Sequence, residues 1–290
     1  MNRENVLKTN LKLNKHYKKA YNTAIHDLYH INSELNKYNM YEFINGIESA
    51  LENDLFIKEC FENKRVNNKL NDENIINLKS TNIEDLSSNF FTILQSRRSL
   101  RNFTGEKILF EDLSNLLIFS SGVTGNYEAN GKNKPATKLL AYPLAGGIQC
   151  LDLYISIKSV EGIENGLYFF NPDGDILNFI KSSCNYNYDQ LTLSTNISKL
   201  SSVTIYIVGK LECLGYKYGD RAYRFMLLEA GHLAQNIYLV GTALNLGVVA
   251  SGGYIDDEIK KLIELENSYI LYELFIGNIN TNSRDPRFLE

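Results

Sequence analysis

Cysteine is scarce in this 290-residue chain, and its four copies (Cys60, Cys150, Cys184 and Cys213) lie far apart. There is no C-x-x-C pair and no cluster of histidines, so neither a zinc site nor a disulfide framework is expected. Long apolar runs are missing too. None reaches the roughly 18 residues that a membrane span needs, and the lysine-rich start has no apolar signal core. These absences give the expectation of a cytoplasmic protein with no membrane partner. A basic surplus is also lacking, and the net charge of −4 argues against nucleic acid as a general partner. Internal repeats and a G-x-G-x-x-G dinucleotide fingerprint are absent. Residues 1–82 contain no proline and a single glycine, Gly46, so the usual helix breakers are missing from that stretch.

What is present fits one large core. Apolar residues make up 44% of the chain, enough at this length to bury a single core with an appended subdomain. The Asn-, Lys- and Glu-rich residues 1–82 read as a helical N-terminal extension. Lys8, Lys12, Lys15 and Lys19 share one helical face there. That face is either solvated or a dock for an acidic leader peptide or a partner enzyme. The polar stretch from Asn67 to Asn82 reads as a linker into a second part, residues 83–290.

In that second part strands and helices alternate. Leu151, Leu153, Ile155 and Ile157 alternate with Asp152, Tyr154, Ser156 and Lys158, which predicts a strand with one buried face. Residues 166–171 and 176–180 predict two strands joined by the turn Asn171–Asp175. Residues 203–209 and 269–277 predict interior strands. Residues 222–245 are apolar on almost every face, as in a helix buried in a large core or an oligomer interface. Gly247 is placed to end that helix. The mixture predicts an α+β sandwich, with helices packed around a central mixed or antiparallel sheet.

The segment Ser96–Phe103 (SRRSLRNF) carries the strongest chemical signal. It follows a predicted helix over 83–95 and places Arg97, Arg98, Ser99 and Arg101 within five residues. Arginine forks bind phosphate oxygens bidentately; alternatively, the cations merely suit the negative end of a helix. With the following TGEKILFEDLSNLLIFSSGVTG, this segment resembles the opening of the nitroreductase-like flavoprotein superfamily. More narrowly it is similar to the azoline dehydrogenases (SagB-type, thiazole/oxazole-forming oxidases) of ribosomal peptide biosynthesis. The run EAGHLAQNIYLVGTALNLGVVASGGY, from Glu229 to Tyr254, resembles the central helix of that family and the loop after it. The resemblance spans about Ile83 to Ile279. It implies FMN as cofactor, with Arg97, Arg98 and Ser99 on its phosphate and ribityl chain and Arg101 beside them. It also implies a homodimer with the flavin sites at its interface.

Further cofactor contacts follow from the same resemblance. Ser251, Gly252 and Gly253 would approach the flavin ring through backbone; their simpler role is a turn into a helix over 256–265. Pro143–Gly147 (PLAGG) stands where the family reads P-S-A-G-A. Leu144 therefore replaces a serine, while Gly146 and Gly147 can still contribute backbone. Arg287, in the C-terminal NSRDPRFLE, is either the late basic residue that closes the phosphate site or a surface arginine.

For catalysis, the resemblance maps the family's Lys-Tyr pair onto Lys217 and Tyr218, just before Gly219-Asp220-Arg221. Aromatising a thiazoline or oxazoline removes a carbon-bound proton and a hydride. Lys217 with Tyr218 would take the proton and FMN N5 the hydride. Dioxygen would reoxidise the flavin, and a partner cyclodehydratase would supply the peptide azoline. A lysine is a base only when neutral, so Lys217 is expected to be desolvated with a lowered pKa; otherwise it is an exposed lysine entering a helix. Asp220 and Arg221 read as an ion pair, Tyr223 as packing, and His232 as a hydrogen-bonded core residue. Two other functions stay open. One is an NAD(P)H-driven flavin reductase of dehydroamino acids, quinones or nitro compounds, and the other is an inactive scaffold subunit of a peptide-modifying complex.

Overall fold

A computed structural model describes residues 29, 30, 33, 40–62, 75–81, 89–127, 137–182, 190–265 and 268–280. The basic face of Lys8, Lys12, Lys15 and Lys19 lies outside the described residues, as do Cys184 and Arg287. In chain order the elements begin with α1 (Met40–Glu52), α2 (Asp54–Ile57), a π-helical turn (Lys58–Glu62) and β1 (Ile75–Asn77). Next come α3 (Phe90–Ser96), α4 (Phe110–Ser121), β2 (Val123–Tyr127), β3 (Thr137–Leu140) and β4 (Leu151–Ile157). Then follow β5 (Gly166–Asn171), β6 (Ile176–Ser182), α5 (Thr195–Leu200) and β7 (Val203–Gly209). The chain continues with α6 (Glu212–Tyr218), α7 (Arg221–Ala243), β8 (Gly247–Ser251), α8 (Asp256–Ile263) and β9 (Tyr269–Gly277).

Seven strands form one sheet in the order β1-β6-β5-β4-β7-β9-β8, and β2 and β3 form a separate hairpin. Every pair is antiparallel. The α+β architecture expected from the sequence is therefore present, with β7 and β9 interior as predicted. One expectation needs correcting. Strand β4 is buried along all seven residues and not on one face only. Helices cover both sides of the sheet centre, so Asp152 and Ser156 are enclosed as well. Asp152 is matched by Lys210, and Ser156 pairs in register with Thr204 of β7. The stretch expected as a linker also differs, because Ile75–Asn77 adds to the sheet beside β6.

Helix α7 crosses the core. Met226, Ala230, Leu233, Ala234 and Ile237 are all buried in the main cluster with Leu116 of α4 and Val248 of β8. The opposite face is open, with Leu227 43% and Leu228 59% exposed. His232 lies on this open face beside Gly231. It is therefore not a core histidine, because the spacing from Leu228 to His232 is one helical turn. Nor does Gly247 end the helix. Asn245 takes the left-handed turn at φ 57, a conformation that asparagine tolerates. Gly247 instead starts β8, where a Cβ would lie 2.3 Å from Ile279 Cγ2.

Candidate active site

Two clusters lie along α7, and its nine-residue spacing from Glu229 to Tyr238 separates them by about 14 Å of helix. The first is built on α6. This short helix stops at Gly219, whose φ of 55 turns the chain directly into α7. Its last two residues, Lys217 and Tyr218, face inward. Lys217 is only 7% exposed. Burial lowers its pKa below the ordinary 10.5, as expected for a lysine that works as a base. The Lys217 amine lies 5.1 Å from the centre of the Tyr218 ring. Phe225 packs edge-on against Tyr218 at 5.1 Å, and Phe43 of α1 stacks on it at 6.0 Å. The N-terminal helices thus wall this cluster, a contact between distant parts of the chain that sequence periodicity does not carry.

Gly146 completes the cluster. Its φ is +61, and a Cβ there would lie 2.2 Å from Tyr218 Oη and 2.7 Å from Lys217 Nζ. Only glycine lets the backbone meet both side chains at this point. Leu144, the departure from the family pattern, packs against the core. Gly147, at φ +73, sits against Thr137 of β3. The turn also borders a cavity of about 440 Å³ beneath the β2–β3 hairpin, reaching Tyr127 and Tyr142.

A residue that sequence reasoning missed fixes this turn. Glu229 of α7 is 3% exposed. Its Oε1 accepts from Ala145 N at 2.7 Å, and its Oε2 accepts from Cys150 Sγ at 3.2 Å. Burial, and then the Glu229 charge, raise the Tyr218 pKa, which keeps the phenol protonated. The available signal was that Glu229 is the sole acid between Ala222 and Asn245. A lone carboxylate in so apolar a helix needs a buried partner.

The second cluster gathers the arginine segment. Asn89 caps α3 by accepting from Phe91 N at 2.9 Å, and the helix runs out at Ser96, so the arginines fall where the chain turns. Arg97 lies over the Tyr238 ring at 5.3 Å. Arg98 Nη1 donates to the Gln95 and Arg97 carbonyls, and Arg101 Nη1 to the Ser99 carbonyl. Among the described residues no carboxylate pairs with any of the three. Ser99 Oγ is 3.1 Å from Tyr238 Oη, which accepts from Ala250 N at 2.7 Å. Such a group of forks and hydroxyls can receive a phosphate. Ala250 and Ser251 belong to β8, and Gly252 and Gly253 follow it. Gly253 N donates to Ser251 Oγ at 3.1 Å.

Arg221 does not pair with Asp220 as expected. Its guanidinium donates to the Ser33 carbonyl at 2.8 Å and lies over Phe225, so an N-terminal segment takes the place of the acid. Tyr223 packs on Tyr29 and Tyr269 as expected. Among the described residues no group of three or more His, Cys, Asp or Glu could hold a metal ion.

Beneath Gly253 lies a buried acid. Glu273 of β9 is fully enclosed, and its Oε2 is 2.8 Å from Thr192 Oγ1, itself 3.2 Å from the Gly253 carbonyl. Burial pushes Glu273 up to about 7, against the Thr192 hydrogen bond and the Lys158 charge. The Thr192 hydroxyl donates to Glu273 Oε2. Since the folded pKa lies above the ordinary 4.5, the stabilisation is complete below pH 4.5 and is lost as pH rises through 7. Its size is roughly 3 kcal/mol. Glu273→Gln keeps an acceptor oxygen for Thr192, removes the titrating carboxyl and should flatten this slope relative to wild type in urea unfolding at pH 5 and pH 8. An equal slope in both proteins would disprove the assignment.

An antiparallel sheet with a central helix packed in the core makes the frame of a nitroreductase-like oxidoreductase. The chain belongs to the nitroreductase family, whose model matches residues 94–277. A nitroreductase-named protein of Methanocaldococcus jannaschii is 28% identical over 180 residues, 62% of this chain and 86% of that protein. A nitroreductase-named structure from Anabaena variabilis matches with a TM-score of 0.55 at 25% identity. The match covers 71% of this chain but only 42% of the Anabaena chain. A chain of the Escherichia coli microcin synthetase McbBCD complex, with truncated pro-MccB17 bound, matches with a TM-score of 0.53 at 22% identity, over 76% of this chain and 79% of that one. Among the described residues no helix is long and apolar enough to cross a membrane.

Proposed function

We propose that this chain is an FMN-dependent dehydrogenase that oxidises peptide thiazolines or oxazolines to thiazoles or oxazoles. The observation that carries this reading is the buried Lys217, held with the Tyr218 hydroxyl against the Gly146 backbone. Nitroreductase-type reduction needs no carbon base, whereas aromatising an azoline does. The neutral Lys217 amine takes the carbon-bound proton, and Tyr218 Oη, held protonated, orients the amine and the substrate. Phe43 and Phe225 keep water from the pair. The likeness to a chain of the microcin synthetase complex is one of fold, and it agrees with a peptide substrate and a cyclodehydratase partner.

The residues fit FMN. Arg97, Arg98, Ser99 and Arg101 form a cation-rich cluster that would hold its phosphate, free of competing carboxylates among the described residues. Gly146, Gly147 and Ser251–Gly253 would offer backbone to the flavin ring, and Arg287 is assigned to the phosphate by resemblance. When bound, FMN supplies a two-electron acceptor, with dioxygen as the final oxidant. The open face of α7 at Leu227, Leu228 and Gly231 is the surface on which we place a homodimer contact. The localisation proposed is cytoplasmic.

Anaerobic visible spectroscopy of the purified protein tests this reading. A yellow protein bleached by a synthetic azoline peptide, and barely by NADPH, is the expected result. Rapid bleaching by NADPH alone would make it a reductase, and a colourless protein would make it a scaffold subunit.

A further inference from the structure

Where β8 ends, a short segment from elsewhere in the sequence lies across its exit. Residues 191–194, immediately before α5, pair antiparallel with the chain that leaves β8. Thr192 bridges to Tyr254, Leu193 N donates to the Gly253 carbonyl at 2.6 Å, and Ile255 N donates to the Leu191 carbonyl at 2.9 Å. Side chains add to this strap. Ser194 Oγ lies 3.3 Å from Ser251 Oγ, which accepts from Gly253 N at 3.1 Å. Leu193 remains 76% exposed, so burial of its side chain does not hold the strap down.

The anchor is Glu273, which stands opposite Ser251 in the register of β8 and β9. The Thr192 hydroxyl donates to Glu273 Oε2 at 2.8 Å and accepts from Ser194 N at 3.1 Å. Both Thr192 and Glu273 are buried, and Glu273 Oε1 has no hydrogen-bond partner among the described residues. An enclosed acid with so few partners is a costly way to fill a core. What it does here is fix Thr192. The loop after Ser251 is bare. A Cβ at Gly252 would meet nothing within 4 Å, and Gly252 has no positive φ. Neither packing nor backbone conformation within this chain requires glycine there, whereas close approach of a planar ring would use it.

We propose that the strap 191–194 holds the loop 251–253 in place against the flavin ring, with Thr192, anchored on Glu273, as its positioning residue. This role rests on the FMN reading proposed above, which puts the ring at that loop. The strap's contacts reach the loop and not the arginine cluster. Loosening it should therefore weaken ring binding and leave the phosphate contacts intact, so FMN and riboflavin should suffer alike.

The test compares wild type with Thr192→Val, which keeps the side-chain shape and removes the hydroxyl, and with Thr192→Ser, which restores it. Hydrogen–deuterium exchange of the apoprotein reads the strap without any flavin. Thr192→Val should speed exchange in the peptides containing Leu193 and Gly253. Fluorescence titration should show FMN and riboflavin binding weakened equally, by about tenfold for the loss of one anchoring hydrogen bond. The visible bands of the bound flavin should shift as well. Thr192→Ser should return all three readouts towards wild type. Ser194→Ala, at a half-buried position, should move them in the same direction by less, which keeps the test open if Thr192→Val folds poorly. Faster exchange with unchanged flavin affinity and spectrum would overturn the positioning role, because a purely structural strap changes stability alone. Unchanged exchange in both variants would overturn the anchoring by Thr192. A wild-type protein that binds neither flavin would overturn the FMN reading and this role with it, while exchange still reports the strap.

Discussion

Replacing Lys217 with alanine lowers azole formation by about 10²–10⁴-fold, the usual worth of a positioned base, while the protein stays yellow. The lysine is 7% exposed, and burial depresses its pKa, so the neutral amine is more available than in a surface lysine. Lys217→Arg should fail almost as badly, because a guanidinium cannot be deprotonated in this range. Activity should rise with pH and level off below pH 10.5, since the base is active only after losing its proton and its pKa is lowered from that value. Tyr218→Phe should retain more activity than Lys217→Ala, because the hydroxyl orients and does not accept the carbon-bound proton. The check is mass-spectrometric loss of two hydrogens per ring, read beside the flavin spectrum of each variant. Normal turnover in Lys217→Ala would leave the buried lysine as a packing group and remove the mechanism.

The parts of this arrangement that were legible in the sequence are those carried by local pattern. Alternation marked the strand β4, the turn Asn171–Asp175 marked β5 and β6, and apolar density marked α7. The arginine segment and the Lys-Tyr pair were legible only as motifs. Period alone misjudged β4, because whether the second face meets water depends on which helices cover it. Asp152 then needed Lys210, a residue with no local tie to it. Apolar density also hid Glu229, since a helix judged by its majority gives no weight to a single acid. The same density placed His232 inside, although one turn of helix from Leu228 leads to solvent. The Phe43–Tyr218 stack and the Asn53–Tyr216 hydrogen bond join the N-terminal helices to α6 across more than a hundred residues, a relation no local periodicity encodes. The Lys217 pKa depends on that same packing, so the motif named the residue while burial in the fold lowers its pKa.

The arginine cluster makes a separate and equally large prediction. Arg97→Ala with Arg98→Ala should weaken FMN binding by about 10²–10⁴-fold, on about 1.5–3 kcal/mol for each charge-assisted hydrogen bond removed. Arg98 engages the Gln95 and Arg97 carbonyls through Nη1, which leaves the rest of its fork for a phosphate oxygen. Arg97 is steadied over the Tyr238 ring, so its removal also loosens the link through Tyr238 to Ser99 and Ala250. A purely structural role would lower the melting temperature and affect all flavins alike. Riboflavin separates the two cases, because it carries the ring and ribityl chain but no phosphate. Fluorescence titration of the double variant should show a large drop in affinity for FMN and little change for riboflavin. Lysine at both positions should recover part of the FMN affinity, since it restores the charge without the bidentate fork. Equal weakening for FMN and riboflavin would move the phosphate elsewhere and leave Arg97 and Arg98 as the closing residues of α3.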